Sequence, residues 1–331
     1  MNKRDLLAHA FDALGLSRVV GPLSRWRGLL VFNYHRIGSP DQTGCDPGLW
    51  SATPEQFDAQ IRFLKDNYPI IGLDDLATVA ERPDQQRVMI TFDDGYRDNH
   101  DLAFPILQQN QAKAVFFLAT GFLDQPRLAW WDQISCIVRS GKFDEIPFSR
   151  WLDSPLSCVN GHRPETLRKV LQTYKQLPAH ELESYLSFLE YLAGDLKYPC
   201  ANELWLTWDQ VRRMAAGGME FGAHTVNHPI LANHPDDVQS WEVHESKRRI
   251  ETEIGGPISA FSYPVGSHDA FDQITRASVR AAGFDWAFSF CCGDLSWNGQ
   301  DRFEIPRVPV ELNTTLPRFR AMTALPKYFL S

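Results

Sequence analysis

An apolar run, Val88-Met89-Ile90-Thr91-Phe92, ends in Asp93-Asp94-Gly95, and a second, Phe221-Gly222-Ala223, ends in His224-Thr225-Val226-Asn227-His228-Pro229. Two adjacent carboxylates repel when both are ionised, and a divalent cation or a shared proton commonly relieves them. A sharp bend at Gly95 lets both acids reach one cleft, although strand alternation would send them to opposite faces. Two imidazoles four residues apart can face one ion if the chain between them turns, and Pro229 biases His228 away from a regular helix. Alone, the first stretch reads as well as an Asp-Gly turn closing a strand, and the second as two surface histidines. Together, two histidines and one aspartate form a three-ligand set that leaves coordination positions open for water and substrate, and the other aspartate is free to act as a base. Such a set is equipped to hydrolyse an amide or an ester, since the ion acidifies water and a carboxylate takes its proton as it attacks a carbonyl.

The elements that would carry these groups alternate between strands and helices. Strands are predicted at 29–34, 88–92, 114–118, 220–223, 258–263, 286–290 and 305–310, and helices near 54–66, 99–110, 208–216, 238–254 and 271–282. Thr53-Pro54 with Gln56 marks a helix start, and Gly217, Gly218, Gly255 and Gly283 mark helix stops. About seven strands with interleaved helices predict an α/β fold, a barrel in preference to an open sheet, whose active site lies at the C-terminal ends of the strands. Residues 125–203 break this rhythm; rich in Trp, Leu, Glu and Lys, with no convincing strand beyond 136–138, they are expected to form a helical insertion. The expected organisation is an N-terminal helical segment (1–27), a barrel (28–312) interrupted by that insertion, and a C-terminal tail (313–331).

The composition narrows the function. With 331 residues, 44% of them hydrophobic and 22% charged, the chain is an ordinary globular protein. A formal charge of -8 without a long Lys/Arg run argues against a nucleic-acid binder. The six cysteines show no CxxC pair and are read as reduced thiols of a cytoplasmic protein. Charges interrupt every apolar stretch of the first 32 residues, so neither a signal-peptide core nor a transmembrane segment is expected. Leu6, Leu7, Ala10, Phe11 and Leu14 fall on one helical face, followed by Arg18, Arg25 and Arg27. That face is expected to pack on the domain, peripheral contact with the inner face of a membrane being its other use.

Thr91-Phe92-Asp93-Asp94-Gly95 and His224-Thr225-Val226-Asn227-His228-Pro229 resemble, in order and separation, the first two motifs of the polysaccharide deacetylase family, the NodB-homology group. The similarity extends over roughly residues 28–124 and 203–312. It implies a distorted (β/α)7 barrel and removal of N-acetyl groups from an amino-sugar-containing polysaccharide, oligosaccharide or glycan precursor. By the resemblance Asp93 is the general base, while Asp94, His224 and His228 bind a divalent metal ion, Zn2+ first, with Co2+, Ni2+ or Fe2+ also suited. Phe261-Ser262-Tyr263-Pro264-Val265-Gly266 resembles the third motif, which places Tyr263, Pro264 and Val265 at the substrate, with the Val265 amide as oxyanion donor. Many members carry an arginine near Ser262 that orients the base; here none stands there, and Arg307 in Ile305-Pro306-Arg307-Val308-Pro309 is the candidate. The family's last motif commonly supplies a histidine as general acid, yet none follows His268. His35, in a Tyr-His block resembling one branch of the family, is expected in that role. Trp131, in Trp130-Trp131-Asp132, is a candidate face for a sugar ring. Two rival readings keep the fold: an amide hydrolase acting on a non-sugar substrate, and a catalytically silent carbohydrate-binding protein.

Overall fold

The computed structural model describes residues 7–8, 12–13, 26–42, 46–159, 161–290 and 296–329. Nine strands form its main sheet: β1 (Gly28–Tyr34), β2 (Gln86–Phe92), β3 (Val115–Leu118), β4 (Glu220–Ala223), β5 (Ala260–Ser262), β6 (Trp286–Ser289), β7 (Ser296–Trp297), β8 (Ile305–Pro306) and β9 (Val308–Pro309). From β1 to β6 neighbours pair in parallel, with Tyr34 opposite Phe92, Phe92 opposite Phe116, Leu118 opposite Ala223, Ala223 opposite Phe261 and Ser262 opposite Phe288. The seventh expected strand splits at Arg307: β8 pairs with β6 and β9 with β1, so one short segment joins the two ends of the sheet. β7 adds an antiparallel pairing with β1. The result is the nearly closed, distorted α/β barrel that the sequence predicts.

Alternation along the strands sorts side chains onto two faces. Leu30, Phe32, Val88, Ile90, Phe116 and Phe261 join a large cluster with the surrounding helices, whereas Leu29, Val31, Met89, Val115, Phe117, Ala260, Phe288 and Ile305 form a smaller one inside the barrel. Continuing the second parity toward the C-terminal ends changes the chemistry: after Val31 comes Asn33, after Met89 come Thr91 and Asp93, and after Ile305 comes Arg307, all buried. Apolar packing therefore closes one end of the barrel and polar groups gather at the other.

The helices form largely where expected. Thr53 caps α1 (Pro54–Asn67) in a capping box with Gln56. In the insertion lie α2 (Trp130–Ser140), α3 (Arg163–Gln176) and α4 (Ala179–Ala193), followed by α5 (Trp208–Ala216), α6 (Asp236–Ile254) and α7 (Gln273–Ala281). Residues 136–138 belong to α2 and form no strand, because the helix buries Ile134, Ile137 and Val138 together. The insertion also contains an antiparallel pair, Glu145–Ile146 with Leu156–Ser157, too short to leave an alternating pattern. It has its own apolar cluster, built on Ile134, Ile137, Val170, Tyr185 and Leu189.

Within the expected tail, α8 (Leu316–Ala324) docks Phe319 on Phe32, ring centroids 4.8 Å apart. Most of the expected N-terminal helix lies outside the described residues; Leu7 is exposed, Ala8 is buried, and Asp12 pairs with Arg320 of α8 at 3.0 Å. Among the described residues no helix is long and apolar enough to cross a membrane. Cys158 and Cys200 are free thiols, Cys136 is buried in α2, and Cys45, Cys291 and Cys292 lie outside the described residues.

Candidate active site

The strand ends bring the two expected stretches together. His224 Nε2 lies 3.6 Å and His228 Nε2 3.4 Å from the same oxygen of Asp94, Oδ1. Ligand atoms of the three residues all fall within 4.8 Å of one another. All three side chains are buried, and Asp94 Oδ1 has no hydrogen-bond partner, nor has His228 Nδ1. A buried carboxylate oxygen facing two imidazole nitrogens without a proton between them is an expensive arrangement unless a cation sits among them. His224 donates Nδ1–H to the Ser262 carbonyl at 2.7 Å, which leaves Nε2 with its lone pair toward Asp94, the tautomer a ligand needs. Burial, and then the neighbouring carboxylates Asp93 and Asp132, push Asp94 well above the usual carboxylate range. Burial also lowers His224, and burial with the nearby His224 lowers His228 well below the ordinary imidazole value. Neutral imidazoles beside a carboxylate that lacks a counter-charge fit a divalent ion.

Backbone strain marks the same place. Of the described non-glycine residues, Asp94 (φ 74°), Thr225 (φ 67°), His228 (φ 54°) and Val265 (φ 62°) adopt left-handed conformations, with Gln111 the one example elsewhere. Each such residue costs on the order of 1–3 kcal/mol and persists where its surroundings over-determine it. At the histidine turn those surroundings are explicit. The buried Glu242 of α6 accepts from the amides of Val226 and Asn227 at 2.7 and 2.9 Å and from Asn227 Nδ2 at 2.7 Å. At the acid pair the bend begins at Asp94 itself and continues through Gly95 (φ 87°), whose missing Cβ would meet the Leu118 side chain at 3.1 Å.

Asp93 is held differently. Arg307 Nη1 donates to Asp93 Oδ1 at 2.7 Å and to Asn33 Oδ1 at 2.7 Å, while Asn33 Nδ2 reaches Asp93 Oδ2 at 3.3 Å. Thr91 Oγ1 donates to Asn33 Oδ1 at 2.7 Å and completes the network. Burial alone would raise Asp93, but the Arg307 guanidinium, and after it His224, hold the carboxyl well below the usual range. Adjacent acids thus receive opposite treatment. Asp93 is kept ionised by its arginine, and Asp94 faces two neutral imidazoles.

Asp93, Asp94, His224 and His228 line a cavity of about 350 Å³ together with His35, Trp130, Trp131, Val265 and Phe290, while Arg307 and Asn33 stay behind Asp93, outside its lining. His35 follows β1 and reaches the cavity; burial lowers it to about 4 against the raising effect of Asp93. Val265 sits on a tight turn closed by Gly266 N–H to Pro264 O at 2.7 Å, and its own N–H has no hydrogen-bond partner among the described residues. Trp131 packs edge-on to His228 at 4.3 Å and donates Nε1–H to Tyr96 Oη at 2.8 Å; Tyr96 in turn donates to the buried Asp132 at 2.6 Å. Trp131 therefore braces a histidine as well as lining the cavity. Tyr263, expected at the substrate, does not line the cavity: it follows Phe261 in strand parity, stacks on Phe271 at 3.9 Å and donates to Phe303 O at 3.1 Å in the core. Pro264 is likewise buried beneath the turn.

The sequence motifs assign no role to Asn33, Glu242 or the Tyr96–Asp132 pair. Asn33 left a usable trace, being the one amide in the strand Leu-Leu-Val-Phe-Asn-Tyr. Glu242 left none, standing among many charges on α6.

Comparison with known proteins places this geometry. The sequence profile of the family described as Polysaccharide deacetylase matches residues 80–146 and 165–287. YxkH of Bacillus subtilis, whose name assigns it to polysaccharide deacetylation, is 31% identical over 94 residues, 27% of this chain and 31% of that protein's length. Among solved structures, the Streptococcus pyogenes deacetylase PplD, determined with acetate, superposes with a TM-score of 0.59 at 20% identity, covering 90% of this chain and 98% of that one. IcaB from Ammonifex degensii gives 0.57 at 16% identity, covering 90% and 97%.

Proposed function

The chain belongs to the polysaccharide deacetylase family, and on that premise we propose that it is a metal-dependent hydrolase removing N-acetyl groups from an amino-sugar-containing glycan or glycan precursor. The observation that carries this reading is the unsatisfied Asp94 Oδ1 between two imidazole nitrogens, next to an aspartate already ionised by Arg307.

Asp94, His224 and His228 would hold the ion, and Zn2+, Co2+, Ni2+ or Fe2+ all suit that donor set. Such an ion would supply Lewis acidity for the acetyl carbonyl and the attacking water. The protein's own groups do the rest. Asp93, kept as the carboxylate by Arg307 and Asn33, takes the proton of the attacking water. The Val265 N–H is free to stabilise the developing oxyanion. His35, neutral at rest because it is buried, takes over the proton that Asp93 drew from the attacking water and delivers it to the departing amine, so no external proton is needed. Trp130, Trp131 and Phe290 give the cavity aromatic faces suited to the apolar faces of a sugar ring.

Acetate release from N-acetylated chito-oligosaccharides, set against linear acetamides, tests the reading. Wild-type protein is expected to prefer the sugars, and Asp93→Asn to lose ~10²- to 10⁴-fold in kcat with its metal content intact. Saccharide binding without turnover, or an unimpaired Asp93→Asn protein, is the result that would overturn it.

A further inference from the structure

A second cavity, of about 490 Å³, adjoins the first and shares Asp46 and Leu171 with it. The insertion supplies much of its wall, with Arg139 from α2 and Arg163, Leu167 and Arg168 from α3. On α3, Arg168, Leu171 and Lys175 stand at i, i+3 and i+7, so they rise along one helical face over about 10 Å. Arg168 lines the second cavity, Leu171 both, and Lys175 the first. The groove therefore runs from the catalytic groups along this stripe into the basic cavity.

The cations differ in what they already do. Arg163 donates to the carbonyls of Val138, Gly141 and Phe143, closing the end of α2. The side chains of Arg168 and Lys175 make no hydrogen bond or close ion pair among the described residues; Asp46 and Asp269 act on Lys175 through space only. In a chain of formal charge -8, the second cavity gathers Arg139, Arg163 and Arg168 against Asp46 alone, and Lys175 stands at its junction with the first, whose own carboxylates are Asp93 and Asp94 of the catalytic end. A neutral glycan can accept hydrogen bonds from them but offers no opposite charge. An anion does, and charge-assisted hydrogen bonds in a cleft are stronger than neutral ones.

We infer that the insertion selects the substrate: the groove takes the unit next to the acetylated sugar, and Arg168 and Lys175 bind an anionic group, a carboxylate or a phosphate, carried there. The inference rests on the deacetylase reading of the adjoining site.

The test compares three N-acetylated probes: neutral chitotetraose, a hyaluronan tetrasaccharide carrying carboxylates, and UDP-N-acetylglucosamine carrying phosphates. Wild-type protein should give a higher kcat/KM with an anionic probe than with chitotetraose, and the better anionic probe names the group. In Arg168→Gln/Lys175→Gln the anionic-to-neutral ratio should fall roughly tenfold or more, and added salt should lower it in the wild type. A wild-type preference for chitotetraose, or a ratio equal in wild type and variant, overturns the inference and leaves the deacetylase reading standing. Calorimetric binding of the same probes to Asp93→Asn protein separates the two claims. Anionic binding that depends on Arg168 and Lys175, in a protein whose wild type releases no acetate from any probe, would sustain the anion site and sink the reaction.

Discussion

The mouth of the barrel and the insertion above it are built on opposite terms. At the mouth, four buried ionisable side chains and four left-handed residues are fixed by β-strand ends, by Arg307 and Asn33 beneath Asp93, and by Glu242 behind the histidine turn. The insertion holds together through an ordinary apolar cluster and reaches the cavity with side chains from its edge, Trp130, Trp131, Leu171 and Lys175. The difference teaches where tolerance should lie. Chemistry sits on the strained part, which local changes should disable, whereas the wall above it, Trp131 against His228 excepted, can change its side chains without moving the reacting groups.

The largest expected effect breaks the mouth. Asp94→Ala should lose the metal, measured by elemental analysis of purified protein, and with it acetate release; retention of both would refute the ligand set. Next, Arg307→Met leaves Asp93 buried without its cation, and denaturant unfolding at neutral pH should show a loss of ~3–5 kcal/mol together with lower kcat. In the insertion, Leu189→Ala should cost ~2–5 kcal/mol in the same unfolding experiment but leave kcat per folded molecule unchanged. Equal damage to kcat from Leu189→Ala would dissolve the distinction between the two regions.

The smallest effect lies at their seam, where burial raises Asp132 to about 6 despite its hydrogen bonds from Tyr96 and the Asp46 amide. Because the folded value exceeds the unfolded one, protonated Asp132 stabilises the fold below about pH 4. That contribution, on the order of 3 kcal/mol, is lost as pH rises through about 6. Metal-free Asp132→Asn protein should therefore lack part of the wild-type decline in stability between pH 4 and 7.

Local order made much of this legible. The strand ends carrying Asp93–Asp94 and His224–His228 show in sequence because an apolar run breaks abruptly into polar groups, and the barrel shows in the alternation of such runs with helices. Arg307 follows from the family resemblance, which asks for an arginine to orient Asp93, and from its place in the last strand; its contact spans 214 residues, and no local pattern encodes it. Asn33 could have been found by extending strand parity from Val31, and the same count would have sent Tyr263 to the core. Glu242, Asp132 and the Arg168–Lys175 stripe depend on how whole helices dock, which their own sequences leave open. The insertion's two-residue strands are set by their partners, so nothing in residues 145–157 announces them.

One feature of the closure orders events in the cell. The segment 305–309 joins the sheet's two ends, and the residue at its centre is the arginine that keeps the buried Asp93 ionised. During synthesis, Asp93, Asp94, His224 and His228 have all been made by residue 228, some eighty residues before this latch leaves the ribosome. The nascent protein should thus stay inert toward glycans until its last strands arrive, because Asp93 is enclosed and given its counter-charge in one closing step.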